Sequence, residues 1–192
     1  MIKHSTLALV ILAAASSIGL AALAETAPAP KPTASAPPAP AHYGDWLLRC
    51  LDLPSALPCD IIQSLEQKDS KARVLAVSIA YSLKENKHLI QISLPLGIDL
   101  RRGVDIAIGD VTAKHVSLSR CELSGCIIEA VLANDMLGAM QKNDKGKVLL
   151  SADGQPATTI EFSLKGFNDA EAALKQEALA RESKAQRPAE RN

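Results

Sequence analysis

Four cysteines are the residues of this chain best suited to chemistry, and they fall into two close pairs. Cys50 precedes Cys59, and Cys121 precedes Cys126, each across a short intervening segment. Such pairs serve as structural disulfides, as zinc ligands or as a redox dithiol, and four cysteines allow three disulfide connectivities. Neither spacing has the two-residue gap typical of zinc knuckles or of thioredoxin-like motifs, so disulfides are the favoured interpretation.

The amino terminus bears on the state of these cysteines because it predicts export. A basic start precedes an apolar stretch at 7–23, which ends in the small-x-small sequence Ala22-Leu23-Ala24. This pattern is typical of a signal peptide, here over 1–24, and a mature chain without a transmembrane anchor. A membrane anchor is the alternative, but serines and a glycine interrupt the apolar stretch and Pro-rich sequence follows it at once.

Export would deliver the protein to the periplasm, the outer surface or the medium. Oxidising conditions there favour disulfides over thiolate ligation of zinc. We therefore expect two local disulfides, Cys50–Cys59 and Cys121–Cys126, each stabilising the fold by about 2–3 kcal/mol. Because the second pair flanks a polar turn, it predicts a stapled β-hairpin.

Motifs of other catalytic classes are absent from the sequence. It contains no G-x-S-x-G, no H-E-x-x-H, no P-loop and no dinucleotide-binding glycines. His88 and His115 stand at predicted strand starts and are expected to be exposed, while Asp99 and Asp105 flank a predicted turn. The sequence therefore predicts a protein that is not an enzyme, with no catalytic residues, no metal and no cofactor.

Two spots could contact a partner. Arg101 and Arg102 form one local basic site, suited to a carboxylate or phosphate, and the alternative is an ordinary solvated hairpin tip. Trp46, close to Tyr43, is the second candidate contact, and the alternative is that it buries the first strand. The partner itself, an envelope protein or a host surface, is not specified by these residues.

The composition argues against nucleic acid as a partner. Without the single charged residue of the predicted signal peptide, the chain carries 20 basic and 21 acidic side chains and is nearly neutral. It therefore lacks a long-range attraction for polyanions. Two Phe, two Tyr and one Trp also provide no platform for stacking bases.

The elements that must position these residues are mostly strands. Apolar and polar residues alternate in short runs separated by turn residues, as in the segment that begins at Arg73. After Asn134 the apolar residues recur at helical spacing, and good helix formers follow Asn168. The predicted fold is all-β, an antiparallel β-sandwich or barrel-like domain with a short internal helix and a C-terminal α-helix.

The predicted organisation has four parts. They are a signal peptide over 1–24, a Pro- and Ala-rich disordered linker over 25–42, a single disulfide-stapled β-domain with a C-terminal helix over 43–180, and a disordered tail over 181–192.

Several motifs together resemble the invasion-associated locus B family of exported alphaproteobacterial proteins. They are the aromatic-Gly-Asp-Trp unit at 43–46, the Leu-Pro-x-Gly turn at 94–97, the Cys-x-x-x-Gly-Cys element at 121–126 and the Ser-Leu-x-Gly-Phe element at 163–167. The resemblance covers roughly 43–174, nearly the whole predicted domain.

The resemblance implies a non-enzymatic exported protein that assists host-cell interaction or invasion. No catalytic residues come with the family, in agreement with the absence of catalytic motifs. Because many relatives occur in bacteria that invade nothing, the alternative is a periplasmic binding or envelope-stress module with no host role.

Overall fold

The computed structural model describes residues 40–51, 55, 57–151 and 156–186, all within one compact unit. The predicted signal peptide, most of the predicted linker and the last six residues of the predicted tail lie outside these ranges. Within them the chain forms eleven strands and two helices. The strands are β1 Ala41–Tyr43, β2 Trp46–Cys50, β3 Cys59–Glu66, β4 Arg73–Ser82, β5 Lys87–Leu94, β6 Val104–Ile108, β7 Val111–Val116, β8 Arg120–Glu122, β9 Gly125–Val131, β10 Lys145–Leu150 and β11 Thr158–Ser163; the helices are α1 Asn134–Lys142 and α2 Phe167–Gln186.

The strands form two antiparallel sheets. The larger sheet has the order β1-β2-β3-β4-β5-β9-β8, and the smaller has the order β11-β10-β6-β7. One cluster of buried side chains includes residues from both sheets and both helices, so the two sheets share a core. The predicted all-β class with an internal and a C-terminal helix is confirmed.

Strand β4 shows why the sequence folds this way. Leu75, Val77 and Ile79 alternate along it and are fully buried against the core. Ser78 and Ala80 point to the opposite face, where they are only partly buried. Since successive side chains of a strand point to opposite faces, this alternation places one face of the larger sheet in the core and leaves the other accessible.

The domain starts earlier than predicted. The domain opens with a hairpin, β1 paired with β2, because Gly44 at a φ of 58° turns the chain. Strand β1 begins at Ala41, so the predicted linker 25–42 overlaps the sheet by two residues.

The domain also ends later than predicted. Helix α2 continues to Gln186, so the predicted disordered tail 181–192 is helical in its first six residues. Good helix formers and an ion pair between Arg181 and Glu177, one turn apart, explain the extension.

Two strand boundaries position the loops of the domain. Strand β7 ends at Val116 in the smaller sheet, and β8 begins at Arg120 in the larger one. Strand β5 ends at Leu94, before Pro95, and Leu96 is exposed.

Neither helix in the described part of the chain is both long enough and apolar enough to span a membrane.

Candidate partner-binding surface

The four cysteines form the two predicted disulfides. Cys50 lies opposite Cys59 in the β2–β3 ladder, and Cys121 lies opposite Cys126 in the β8–β9 ladder. Glu177 brings a carboxylate oxygen close to the first pair, but the two sulfurs there are bonded to each other and are not free thiolates. Both bridges are therefore staples across neighbouring strands.

Trp46 is not a surface contact, and that prediction is wrong. Its side chain is completely buried and meets the ring of Phe167 edge-on at 5.3 Å between centroids. The alternative interpretation is confirmed, since Trp46 fixes the start of β2 against α2.

Two of the sequence motifs, the aromatic-Gly-Asp-Trp unit and the Ser-Leu-x-Gly-Phe element, pack against each other beside Trp46. The backbone N–H of Asp45 donates to the carbonyl of Lys165 at 3.1 Å. The Gln63 side chain donates to the carbonyls of Asp45 and Ser163 and accepts the N–H of Ser163. These motifs thus join the β1–β2 turn to the β11–α2 junction, which is a structural role.

His88 is buried, contrary to the expectation that it is exposed. Its Nε2 lies 2.9 Å from Oε1 of Glu171, and the ammonium of Lys175 lies 2.6 Å from the same oxygen. The ring also packs against Tyr81. Burial is the main cause that lowers the pKa of His88, opposed by the Glu171 carboxylate and assisted by Lys175. This cluster attaches α2 to β5.

The accessible face of the larger sheet contains a shallow cleft of about 510 Å³. At one side of it, the Arg49 guanidinium donates two hydrogen bonds to Asp60, at 2.7 and 2.8 Å, and Ser78 also donates to this carboxylate. The hydrogen bonds to Asp60 raise the pKa of Arg49. Ser78 and Ala80 of β4 form the floor of the cleft. The cleft therefore combines apolar walls with an ion pair whose two charges neutralise each other.

A second surface lies at the ends of several strands of the larger sheet and along the β5–β6 loop, which reaches the smaller sheet where the Asp99 N–H donates to the Ser151 carbonyl. We call this surface the loop end. It comprises the exposed residues Leu96, Leu100, Arg101, Arg102 and Leu123. Leu123 is fully exposed in the two-residue turn of the stapled hairpin, and the other four lie in the β5–β6 loop.

The topology brings these two loops together. Because adjacent strands run antiparallel, the end of β5 meets the start of β9 and the end of β8 at one edge of the sheet. A Cβ at Gly125 would overlap the carbonyl oxygen of Leu94, so the Cys-x-x-x-Gly-Cys hairpin packs directly on the Leu-Pro-x-Gly turn. The Arg73 guanidinium donates to the Ser124 carbonyl at 3.5 Å. This hydrogen bond joins the β3–β4 turn to the stapled hairpin.

The two predicted basic residues stand out at this loop end. The side chains of Arg101 and Arg102 are 86% and 71% exposed, and both approach the carboxylate of Asp99, at 3.6 and 3.5 Å. Asp99 is largely buried and also accepts the backbone N–H of Arg101. One carboxylate thus orders a loop that carries two guanidinium groups, and one positive charge is left unbalanced.

The leucines of the loop end were not among the predicted contact residues. Leu96 and Leu100 lie beside Pro95, Gly97 and Gly103, and such breakers predict that a strand has ended. Leu123 lies between the two cysteines of a predicted hairpin, where a turn residue is exposed by position. These signals in the sequence could have located an apolar surface next to the arginines.

These features define a class of protein, a domain of two antiparallel sheets with two cross-strand disulfides and a C-terminal helix. The sequence model of the family described as "Invasion associated locus B (IalB) protein" matches residues 46–175, and the chain belongs to this family. The resemblance inferred from the motifs is confirmed.

Individual relatives agree with this assignment. An invasion protein B homologue of Brucella abortus strain 2308 is 25% identical over 130 residues, which are 67% of this chain and 74% of that protein. A homologue from Brucella abortus biovar 1 strain 9-941 matches to the same extent. The crystal structure of invasion associated protein b from Bartonella henselae superposes with a TM-score of 0.64 at 20% identity, covering 71% of this chain and 96% of that chain. This likeness supports the fold.

Proposed function

We propose that the protein is an exported, non-enzymatic accessory factor in host-cell interaction, and that it contacts its partner through the loop end. The observation that carries the proposal is the combination of exposed leucines with exposed arginines on two ordered, adjoining loops. Exposed apolar groups beside a charge are typical of interaction surfaces.

Export is part of this proposal. Two disulfides favour an oxidising compartment, and the sequence pattern at 1–24 favours a signal peptide. The Pro- and Ala-rich stretch that follows, up to β1 at Ala41, would act as an extended spacer. Membership of an invasion-associated family supports the host role.

The cleft on the larger sheet supports a second candidate, a periplasmic binding module. Its apolar walls and the Arg49–Asp60 pair suit a small or peptide ligand. This candidate requires no contact with a host.

Protease treatment of intact cells, with a parallel assay of the culture medium, distinguishes the two candidates. The host-interaction proposal expects cleavage on intact cells or abundance in the medium. Protection until the outer membrane is permeabilised would contradict it and favour the periplasmic candidate. A resident periplasmic protein of known location serves as the control for membrane integrity.

A further inference from the structure

We infer that the loop end binds an anionic phospholipid bilayer, with its leucines in the apolar interface and its arginines at the lipid phosphates. This inference rests on the proposed function, because it names the partner of the same surface. The shape, the charge and the rigidity of the two loops support it.

The shape of the surface favours a bilayer. Leu123 occupies the tip of a two-residue turn, while Leu96 and Leu100, 56% and 60% exposed, lie on a separate loop. None of the three lines the cleft on the accessible sheet face. Apolar groups on projecting loops can enter a fluid interface, whereas a folded protein partner is usually bound by a complementary, packed patch.

The charge of the loop end favours lipids that carry phosphate and net negative charge. The segments 66–73, 95–103 and 120–125 contain six basic and four acidic side chains. Glu129, which pairs with Arg120 at 2.8 Å, reduces the surplus to one positive charge. Glu122 is already paired with Arg120 at 2.7 Å, and Asp99 is shared by two arginines. The exposed guanidinium groups therefore keep N–H donors for phosphate oxygens.

The rigidity of the loops lowers the entropy lost on binding. The Cys121–Cys126 disulfide closes the hairpin that carries Leu123. Gly125 packs on Leu94, and the N–H of Asp99 donates to the carbonyl of Ser151 at 2.8 Å, which fixes the β5–β6 loop. A preorganised surface loses less conformational freedom when it is immobilised on a membrane.

The order of the residues along the β5–β6 loop matches the profile of a bilayer. Leu100 directly precedes Arg101 and Arg102, so an apolar side chain and two cationic ones emerge from the same turn. When the leucine enters the acyl boundary, long basic side chains next to it can remain at the depth of the headgroups.

The test is sedimentation of the purified mature chain with vesicles of phosphatidylcholine containing about 30 mol % phosphatidylglycerol, compared with pure phosphatidylcholine. We expect binding to the anionic vesicles that weakens as salt rises. The double substitution Arg101→Ala with Arg102→Ala should weaken it roughly thirtyfold, which corresponds to about 1 kcal/mol per basic residue near an anionic surface. Leu100→Ser with Leu123→Ser should weaken it at least about tenfold, because each leucine loses apolar burial.

Matched controls come from the opposite end of the sheet. Lys84→Ala with Lys87→Ala removes two exposed positive charges from the β4–β5 turn, and Leu179→Ser removes an exposed leucine from α2. Both controls should bind like the unmodified protein. All substituted positions are exposed, so an unchanged melting temperature will verify folding.

Equal binding to neutral and anionic vesicles would overturn the inference, and so would equal loss in the loop-end and control variants. If vesicles do not bind, but the loop-end variants abolish host-cell uptake in living bacteria, the lipid inference is wrong and the proposed function stands with a protein partner. If vesicles bind and the same variants leave uptake unchanged, the lipid inference stands and the proposed function is wrong.

Discussion

Gly166, at the entrance to α2, shows how much of this fold depends on single residues. Its φ is 81°, and a Cβ at this position would overlap the carbonyl oxygen of Tyr43. Gly44, on the facing turn, is similarly constrained by the carbonyl oxygen of Lys165. The two glycines therefore allow the backbones of two sequence motifs to touch, and a side chain at either position would separate β1 from α2.

We expect Gly166→Ala to lower the free energy of unfolding by about 2 kcal/mol or more, through the positive φ and the overlap together. Gly138→Ala is the matched control, because Gly138 lies within α1 and a Cβ there would meet nothing within 4 Å among the described residues. That control should raise stability by about 0.5–1 kcal/mol. Urea unfolding measures both changes, and a similar effect of the two substitutions would contradict this account of Gly166.

His88 should make stability depend on pH. Burial lowers its pKa below the ordinary value of 6.5, so the unfolded chain takes up a proton on this residue before the folded chain does. Stability due to His88 is therefore complete above about pH 6.5 and is lost as the pH falls toward the lower pKa of the folded state. The slope cannot exceed about 1.4 kcal/mol per pH unit, the value for one proton.

The measurement is the free energy of urea unfolding between about pH 8 and 5 for the unmodified chain and for His88→Gln, which keeps an N–H to donate to Glu171. We expect the substitution to flatten the pH profile in this range. Identical slopes for the unmodified chain and His88→Gln would refute the assignment.

Among the elements, β3 connects the two sheets through one side chain. Gln63 is buried and bonds to the turn after β1 and to Ser163 at the end of β11. Gln63→Leu would keep the volume but leave the N–H and carbonyl of Ser163 without this partner. We expect a loss of about 1–3 kcal/mol of stability, measured by urea unfolding. Gln91→Leu, at an exposed glutamine of β5, should change stability by less than about 0.5 kcal/mol, and equal effects would argue against the bridge.

The stapled hairpin β8–β9 is the element that carries Leu123. Replacing both Cys121 and Cys126 by Ala should cost about 2 kcal/mol, because the loop that the disulfide closes is short. Hydrogen exchange should accelerate at 120–127, while the central strands β3 to β5 stay protected, since they are covered on both edges. Faster exchange throughout the larger sheet would show that the staple supports more than the hairpin.

Over the whole molecule, the sequence predicted the parts that follow from local periodicity. The alternation in β4 identified the buried face, and cysteine spacing with predicted export identified both disulfides. Non-local contacts were not predictable in this way. Trp46 is buried because Phe167 packs on it, and His88 is buried because α2 returns across the sheet. These partners are separated by more than 80 positions in the chain.

Of the candidate surface, the sequence predicted the basic residues but not the leucines. Arg101 and Arg102 were recognised because two adjacent basic residues in a turn are visible in sequence. The contribution of Leu123 depends on the pairing of β9 with β5, which brings the hairpin next to the β5–β6 loop. Such a juxtaposition requires the sheet order, and no local pattern contains it.

The most direct test of the central claim uses a deletion strain that is complemented with either the unmodified gene or a variant carrying Leu100→Ser, Arg101→Ala, Arg102→Ala and Leu123→Ser. Lys84→Ala with Lys87→Ala and Leu179→Ser provides the matched control, and all three proteins must be exported in equal amounts. Uptake of the bacteria by host cells is then counted. We expect the unmodified protein and the control to restore uptake, whereas the loop-end variant should not. Full restoration by the loop-end variant, or normal uptake of the deletion strain itself, would contradict it.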